Sequence, residues 1–277
     1  MNNESKIQSV PFIFRKHDTH CYPEDNFPCA EYWFSQNIKD EEIKGDRIYL
    51  PVTWTQFYKE CNYGNDKNKL KLLQSVLDKL DTSKKYFTII GWDDGILNDI
   101  SHLDIKVFSM AGGRKDYGLP LICQPHKITF NNQRDIFCSF VGRITNPIRQ
   151  EIVNAYAGKE GYYVSTMPHA LPDYCRILAR SVFSLCCRGY GSNSFRIQES
   201  IEYGALPIWI SDSFVPIHDL NFEDFGYLVE NKDVGKLDSF LRSIPKKEIE
   251  LKQSRLKDVF ENYFTFEANK KLILENI

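Results

Sequence analysis

The sequence has none of the marks of a structural metal site, a membrane span or a nucleic-acid-binding tail. None of its eight cysteines forms a Cys-x-x-Cys pair, and no His/Cys spacing fits a zinc site. Cys138, Cys186 and Cys187 lie in apolar runs and read as buried free thiols. No apolar stretch approaches the ~20 residues that cross a bilayer. Residues 1–9 are polar and have no signal-peptide core, and the single glycosylation sequon, Asn3-Glu4-Ser5, stands at the terminus. These absences predict a cytoplasmic, reduced protein. Neither sign of charge dominates, with 35 basic and 37 acidic residues and a net charge of -2. That balance argues against binding nucleic acid along the whole chain but allows a local basic pocket. There is no internal repeat and no low-complexity tract.

The composition is that of a globular protein with a substantial core. The chain has 277 residues, 42% of them hydrophobic, enough for one large domain or two of roughly 130 residues. Aromatics reach 14% and are expected mainly in the core. Apolar runs predict strands at 10–14, 47–52, 86–90 and 105–109. Helical spacing over 67–80 predicts a helix capped by Asp66. Further on, strands are expected at 136–141, 162–165, 182–187, 206–210 and 226–229. Helices are expected from Pro147, over 172–180 and 194–203, and near 234–243, 246–263 and 266–275. Gly204 is placed to stop the third of these. This alternation predicts an α/β protein of two Rossmann-like domains facing a cleft. The boundary is placed at 130/131, with the C-terminal helices in the second domain; the last helix can cross back to the first.

Ligands of open α/β sheets bind beyond the carboxyl ends of the strands. Two strand ends have suitable chemistry. At Phe140-Val141-Gly142-Arg143, followed by Arg149, a glycine admits a ligand to the backbone and two arginines can meet a phosphate. A strand–turn–helix with surface arginines explains this segment as well. In Arg188-Gly189-Tyr190-Gly191-Ser192-Asn193-Ser194-Phe195-Arg196, a helix start with Ser194 and Arg196 can cradle a diphosphate. Glu199, about one turn later, can accept hydrogen bonds from a ribose. A capping serine and a surface ion pair are the plainer explanation.

The order of the whole segment is more specific than either piece. The run Arg-Gly-x-Gly, Ser-Phe-Arg-x-x-Glu, then Gly204-Ala205-x-Pro207 and an apolar strand ending in Ser211-Asp212 resembles the exostosin-like glycosyltransferases, glycosyltransferase family 47. Phe140–Arg143 with Arg149, and Arg180-Ser181 before a strand, match upstream. The resemblance covers about 134–220 well, and 1–130 only through Gly91-Trp92-Asp93-Asp94-Gly95. It looks most like small soluble members from large DNA viruses of algae, which would place the protein in host cytoplasm. The resemblance implies a GT-B fold with the nucleotide-sugar held by the second domain. It also implies an inverting, metal-independent reaction, and the sequence has no Asp-x-Asp metal motif. Carried over position by position, it assigns the UDP-sugar to Gly142, Arg143, Arg149, Arg188, Gly189, Ser194, Arg196 and Glu199, with Asp212 set toward the sugar. No cofactor or metal is expected beyond the UDP-sugar. The partners implied are that donor and an acceptor glycan, and the donor sugar taken is xylose.

The base that deprotonates the acceptor is expected in the first domain. Asp93 and Asp94 follow an apolar strand, and His20 lies in the cluster His17, Asp18, His20. Asp94-Gly95 is equally a turn signal. Trp54, Trp92 and Tyr117 are candidate platforms for acceptor sugars. A non-catalytic glycan- or nucleotide-binding protein on a transferase fold is the alternative function. Another two-domain sugar enzyme, such as an epimerase or phosphorylase, is the third.

Overall fold

The computed structural model describes residues 5–16, 29–112, 117–123, 125–130 and 133–277. In it the apolar runs assemble into two parallel sheets, each in its own compact unit. The first unit comprises Met1–Pro120 and Thr265–Ile277, the second Leu121–Phe264.

In the first unit the strands β1 (Arg47–Tyr49), β2 (Lys85–Ile90), β3 (Asp104–Ser109) and β4 (Tyr117–Gly118) lie side by side in chain order. The helices α1 (Ala30–Asn37), α2 (Trp54–Glu60) and α3 (Lys67–Leu77) belong to the same unit. Asp66 caps α3 as its position predicts: the carboxylate accepts from the amides of Asn68 and Lys69 at 3.1 Å each. The strand expected at 10–14 does not form. Pro11 has no N–H to give a ladder, and its carbonyl instead closes a 3₁₀ turn at Phe12–Phe14. Val10 and Phe14 turn inward, Phe14 against Phe57 at 5.0 Å, and Ile7 makes the bridge to Tyr49.

The helix α9 (Phe266–Glu275) clusters with the first unit, not with the second as the 131–277 division had it. Phe266 packs on Trp33 and Phe34 of α1, Lys270 pairs with Glu42 at 2.6 Å, and Lys106 donates to the Asn276 carbonyl at 2.6 Å.

The second unit is a five-stranded parallel sheet. Its strands are β5 (Ile136–Val141), β6 (Tyr162–Ser165), β7 (Ser181–Cys187), β8 (Leu206–Ser211) and β9 (Tyr227–Glu230), in spatial order β6-β5-β7-β8-β9. β8 is buried at every position, as a central strand covered on both faces must be. The covering helices include α4 (Pro147–Tyr156), α5 (Leu171–Arg180), α6 (Arg196–Glu202), α7 (Leu237–Ser243) and α8 (Lys246–Tyr263). Asn146 caps α4, with Pro147 at its first position. Gly204, at φ +71°, ends α6, and a Cβ there would lie 2.4 Å from Arg134 Nη2. Arg134 fills that space and donates to the carbonyls of Ala179, Ser181 and Tyr203, tying the ends of α5 and α6 together.

The units divide at 120/121 rather than 130/131 because the intervening segment is bonded to the second sheet's helices. The Gln198 amide accepts from Cys123 N–H at 2.6 Å and donates to Cys123 C=O at 2.8 Å, both buried. Lys127 N–H donates to Glu202, and Phe130 packs on Tyr203. Replacing Gln198 by Ala takes a buried partner from two backbone groups at once. It should cost about 2–4 kcal/mol of stability, measured by urea unfolding of the intact chain; a loss under 0.5 kcal/mol would show that the clamp does not hold the segment.

Candidate functional site

The strand order of the second sheet makes one position unlike the others. From β5 the chain runs outward to β6 on one side, then returns to lay β7, β8 and β9 on the other. The carboxyl ends of β5 and β7 therefore diverge at a topological switch point, where open α/β sheets bind ligands. Val141-Gly142-Arg143 leaves one of these ends and Cys187-Arg188-Gly189 the other, so the two segments singled out in the sequence meet here.

Arg149 holds the two ends together. It sits in the first turn of α4 and is 6% exposed. Its Nε donates to Arg188 O at 2.9 Å, Nη1 to Arg143 O at 3.0 Å and Nη2 to Cys187 O at 3.1 Å. Burial, with Arg196 nearby, brings its pKa down to about 10. The fork points at backbone rather than outward, so Arg149 positions the site in place of the phosphate contact expected of it. The neighbouring glycines make room for arginines. A Cβ on Gly142 would lie 2.2 Å from Arg196 Nη2, and one on Gly189 would lie 3.2 Å from Arg149 Nη2.

Arg196 and Arg143 are differently placed. Arg196 donates from Nε to Val141 O at 2.7 Å and lies over the Phe140 ring at 5.7 Å. Its two terminal nitrogens have no hydrogen-bond partner among the described residues. Burial works against its charge, but Tyr174 and Glu199 raise its pKa and keep it a cation. Arg143 is exposed, with no side-chain partner among the described residues. Arg188 is engaged: it pairs with Asp212 and donates to Tyr190 O at 3.2 Å, while its buried Nε has no partner among the described residues. Asp212 thus stands beside an arginine at the mouth of the site.

Ser194 marks the start of α6. Its hydroxyl accepts from Arg196 N–H at 3.4 Å, and its carbonyl from Ile197 N–H at 3.1 Å. Trp209 of β8 donates its indole N–H to Ser192 O at 3.0 Å and pins the preceding loop to the sheet. Glu199 follows one turn later. Tyr174 OH donates to its Oε2 at 2.5 Å, and His126 Nε2 lies 3.4 Å from Oε1. Burial would raise the carboxyl pKa, but His126, Arg196 and Tyr174 outweigh it and lower the value. The group is an oriented anion. Each oxygen has one protein partner, which leaves lone pairs for a further donor. Neither His126 nor Tyr174 was expected as a site residue: His126 precedes the expected domain boundary, and Tyr174 lies within the helix expected over 172–180.

The candidates of the first unit separate. Asp93 and Asp94 are exposed in a turn closed by Gly95 N–H to Trp92 O at 3.1 Å, with Gly95 at φ +75°. They do follow the carboxyl end of β2. His17, Asp18 and His20 lie outside the described residues. Trp54 is fully buried and bonded to Thr88, and Tyr117 is 4% exposed, so both are core and cannot be platforms. Trp92 is half-buried. Glu31, which no motif flagged, is 2% exposed and accepts from Gly91 N–H, Thr55 N–H and Thr55 OH at 2.6, 2.9 and 2.8 Å. It fixes the end of β2 to the start of α2.

Among the described residues, no three His, Cys, Asp or Glu side chains gather as a metal site would require, and no helix is long and apolar enough to cross a membrane. Burial pushes the thiols of Cys186 and Cys187 up to about 12, as expected of core cysteines.

Residues 107–244 match the Exostosin GT47 domain model. Over 87 residues the chain is 40% identical to a rice (Oryza sativa subsp. japonica) protein called "Probable glucuronosyltransferase", covering 31% of this chain and 21% of that one. It is 39% identical over 85 residues to "Probable beta-1,4-xylosyltransferase IRX10L" of Arabidopsis thaliana, covering 30% and 20%. Over 145 residues it is 28% identical to "Probable glucuronoxylan glucuronosyltransferase IRX7" of Arabidopsis thaliana, covering 47% and 32%. The chain thus spans between a fifth and a third of these relatives. Among solved structures, S. aureus TarM in complex with Fondaparinux, alpha-GlcNAc-glycerol and UDP is similar at TM-score 0.44 and 10% identity, covering 90% of this chain and 58% of that one. The GtfA/B complex is similar at TM-score 0.40 and 13% identity, covering 75% and 60%. Over residues 107–244 this chain is therefore similar to the Exostosin GT47 domain and, in part, to plant proteins named as glucuronosyl- and xylosyltransferases.

Proposed function

We propose that the protein transfers a sugar, taken to be xylose, from a UDP-sugar to a hydroxyl of an acceptor glycan, with inversion and without a metal. One observation carries this reading. At the switch point of the second sheet, the open end of the Arg196 guanidinium and the oriented Glu199 carboxylate lie on the same short helix, three residues apart. A nucleoside diphosphate needs that pairing: cations for the diphosphate, and an anionic acceptor for the ribose hydroxyls. The relatives named as xylosyl- and glucuronosyltransferases support the donor class.

In the reaction, the acceptor hydroxyl loses its proton to a base as its oxygen bonds to the anomeric carbon. The bond from that carbon to the diphosphate oxygen breaks, and UDP leaves with the electron pair. Asp93 or Asp94 is assigned as the base. Arg196 and Arg143 stabilise the charge growing on the leaving diphosphate, and Arg188 joins them once Asp212 yields it to the donor. Charge-assisted bonds from arginine forks suit that task without further cations.

The purified protein incubated with UDP-xylose, UDP-glucuronic acid and UDP-N-acetylglucosamine in EDTA should release UDP with at least one donor. No release with any of them, and no thermal shift with UDP, would leave a protein without this activity. Glu199→Ala should weaken UDP binding at least tenfold by calorimetry. Tyr174→Phe should cost less and bring the loss of affinity on acidification to a higher pH, since the Tyr174 hydroxyl helps hold the Glu199 pKa below 4.5. The wild-type contribution of Glu199 to stability is therefore full above that value and falls as pH drops through the lowered pKa. Arg196→Ala and Arg149→Ala should both impair UDP binding. Arg149→Ala should lose more stability than Arg196→Ala, about 3 kcal/mol, because it takes a donor from three strand-end carbonyls where Arg196 serves one.

A further inference from the structure

The turn between α2 and α3 holds an exposed ring in a backbone state that tyrosine seldom adopts. Asn62, Tyr63 and Gly64 lie consecutively in the left-handed region, at φ 50°, 55° and 79°. For a tyrosine this conformation costs about 1–2 kcal/mol. The turn is heavily cross-bonded: Gly64 N–H donates to Tyr58 O, Asn65 N–H to Asn62 O, and Asp66 N–H to Cys61 O. The result is a Tyr63 ring that is 67% exposed yet held against Trp92, with centroids 6.1 Å apart and planes 32° apart. Trp92 is backed in turn by the fully buried Tyr58 at 5.8 Å. A Cβ on Gly64 would lie 2.6 Å from Leu97 Cδ1, so this turn and the loop after β2 are in direct contact. The Trp92 indole N–H is buried, with no acceptor among the described residues.

We propose that Tyr63 and Trp92 form the platform on which the first unit seats a neutral pyranose ring of the acceptor glycan. This rests on the transferase reading above. The feature lies at the carboxyl end of β2, immediately before Asp93 and Asp94, where that reading needs the acceptor hydroxyl. The exposed apolar area is one tyrosine ring with Leu97 beside it. Stable protein interfaces bury about 1,200 Å² or more, whereas this patch matches the C–H face of one or two pyranoses. Its rim is polar and acidic, with Asn62, Asp93 and Asp94 all exposed. Such a rim offers acceptors to equatorial hydroxyls and repels a carboxylate. The platform therefore favours xylose- or glucose-like units over uronic acids.

Tyr63→Asn tests the proposal without disturbing the turn, because asparagine tolerates the left-handed region better than tyrosine. Xylohexaose titrated into the full chain should change tryptophan fluorescence saturably. The variant should bind it at least fivefold more weakly, Tyr63→Phe should bind it as the wild type does, and UDP affinity should be the same in all three. Replacing xylohexaose by a tetra-galacturonate should abolish the response. Equal xylohexaose affinity in wild type and Tyr63→Asn would overturn the platform, as would no saturable response in the wild type or a change of oligomeric state in the variant instead of a loss of binding. If UDP fails to bind while xylohexaose binding still depends on Tyr63, the platform stands and the transferase reading falls.

Discussion

The candidate site at the switch point depends on one buried arginine. Arg149 spends its whole fork on the carbonyls of Arg143, Cys187 and Arg188, which belong to the outgoing ends of two strands that the topology drives apart. Backbone carbonyls at such a split leave the strand ladder and need other donors; Arg143 O also accepts from Thr145 N–H at 3.0 Å. With the fork in place, the diverging ends become a fixed frame. Gly142 and Gly189 are small because two guanidinium groups occupy the space where their side chains would be.

On that frame, charge is separated by role. Each Arg149 nitrogen is bonded to a carbonyl, whereas Arg196 uses one nitrogen on Val141 O and leaves its end open. Glu199 is kept anionic by His126, Arg196 and Tyr174 although burial opposes it. A half-buried cation and anion on one helix, neither fully used by the protein, are costly for stability alone. Their partial satisfaction is understandable if a ligand completes it. Arg188 and Asp212 hold each other at the rim; under the proposed function a diphosphate would compete with Asp212 for the arginine.

Much of the second unit was legible in the sequence. Unbroken apolar runs such as 136–141 and 206–210 can only be strands covered on both faces, and Asn146-Pro147 and Gly204 mark helix ends by their backbone chemistry. The candidate donor residues were legible as types through the order of the whole segment, which is more specific than either strand end alone. Their division of labour was not. Whether Arg149 faces phosphate or carbonyl depends on how far two strand ends diverge, which is a property of strand order. His126 and Tyr174 were hidden for a similar reason: they reach Glu199 from segments 73 and 25 residues away. In the first unit, the run at 10–14 had strand composition, but Pro11 decided against a ladder. Trp54 and Tyr117 looked like platforms until the core claimed them, while Tyr63 lay outside every motif because only its backbone geometry sets it apart.

The central claim is that the switch point between β5 and β7 holds the nucleotide. A crystal structure of the protein grown with UDP tests it most directly. The account predicts the diphosphate within hydrogen-bond distance of the Arg196 terminal nitrogens and the ribose hydroxyls on Glu199, with Arg149 unmoved on its three carbonyls. UDP bound elsewhere, or bound here with Arg149 swung out onto the phosphate, would contradict it.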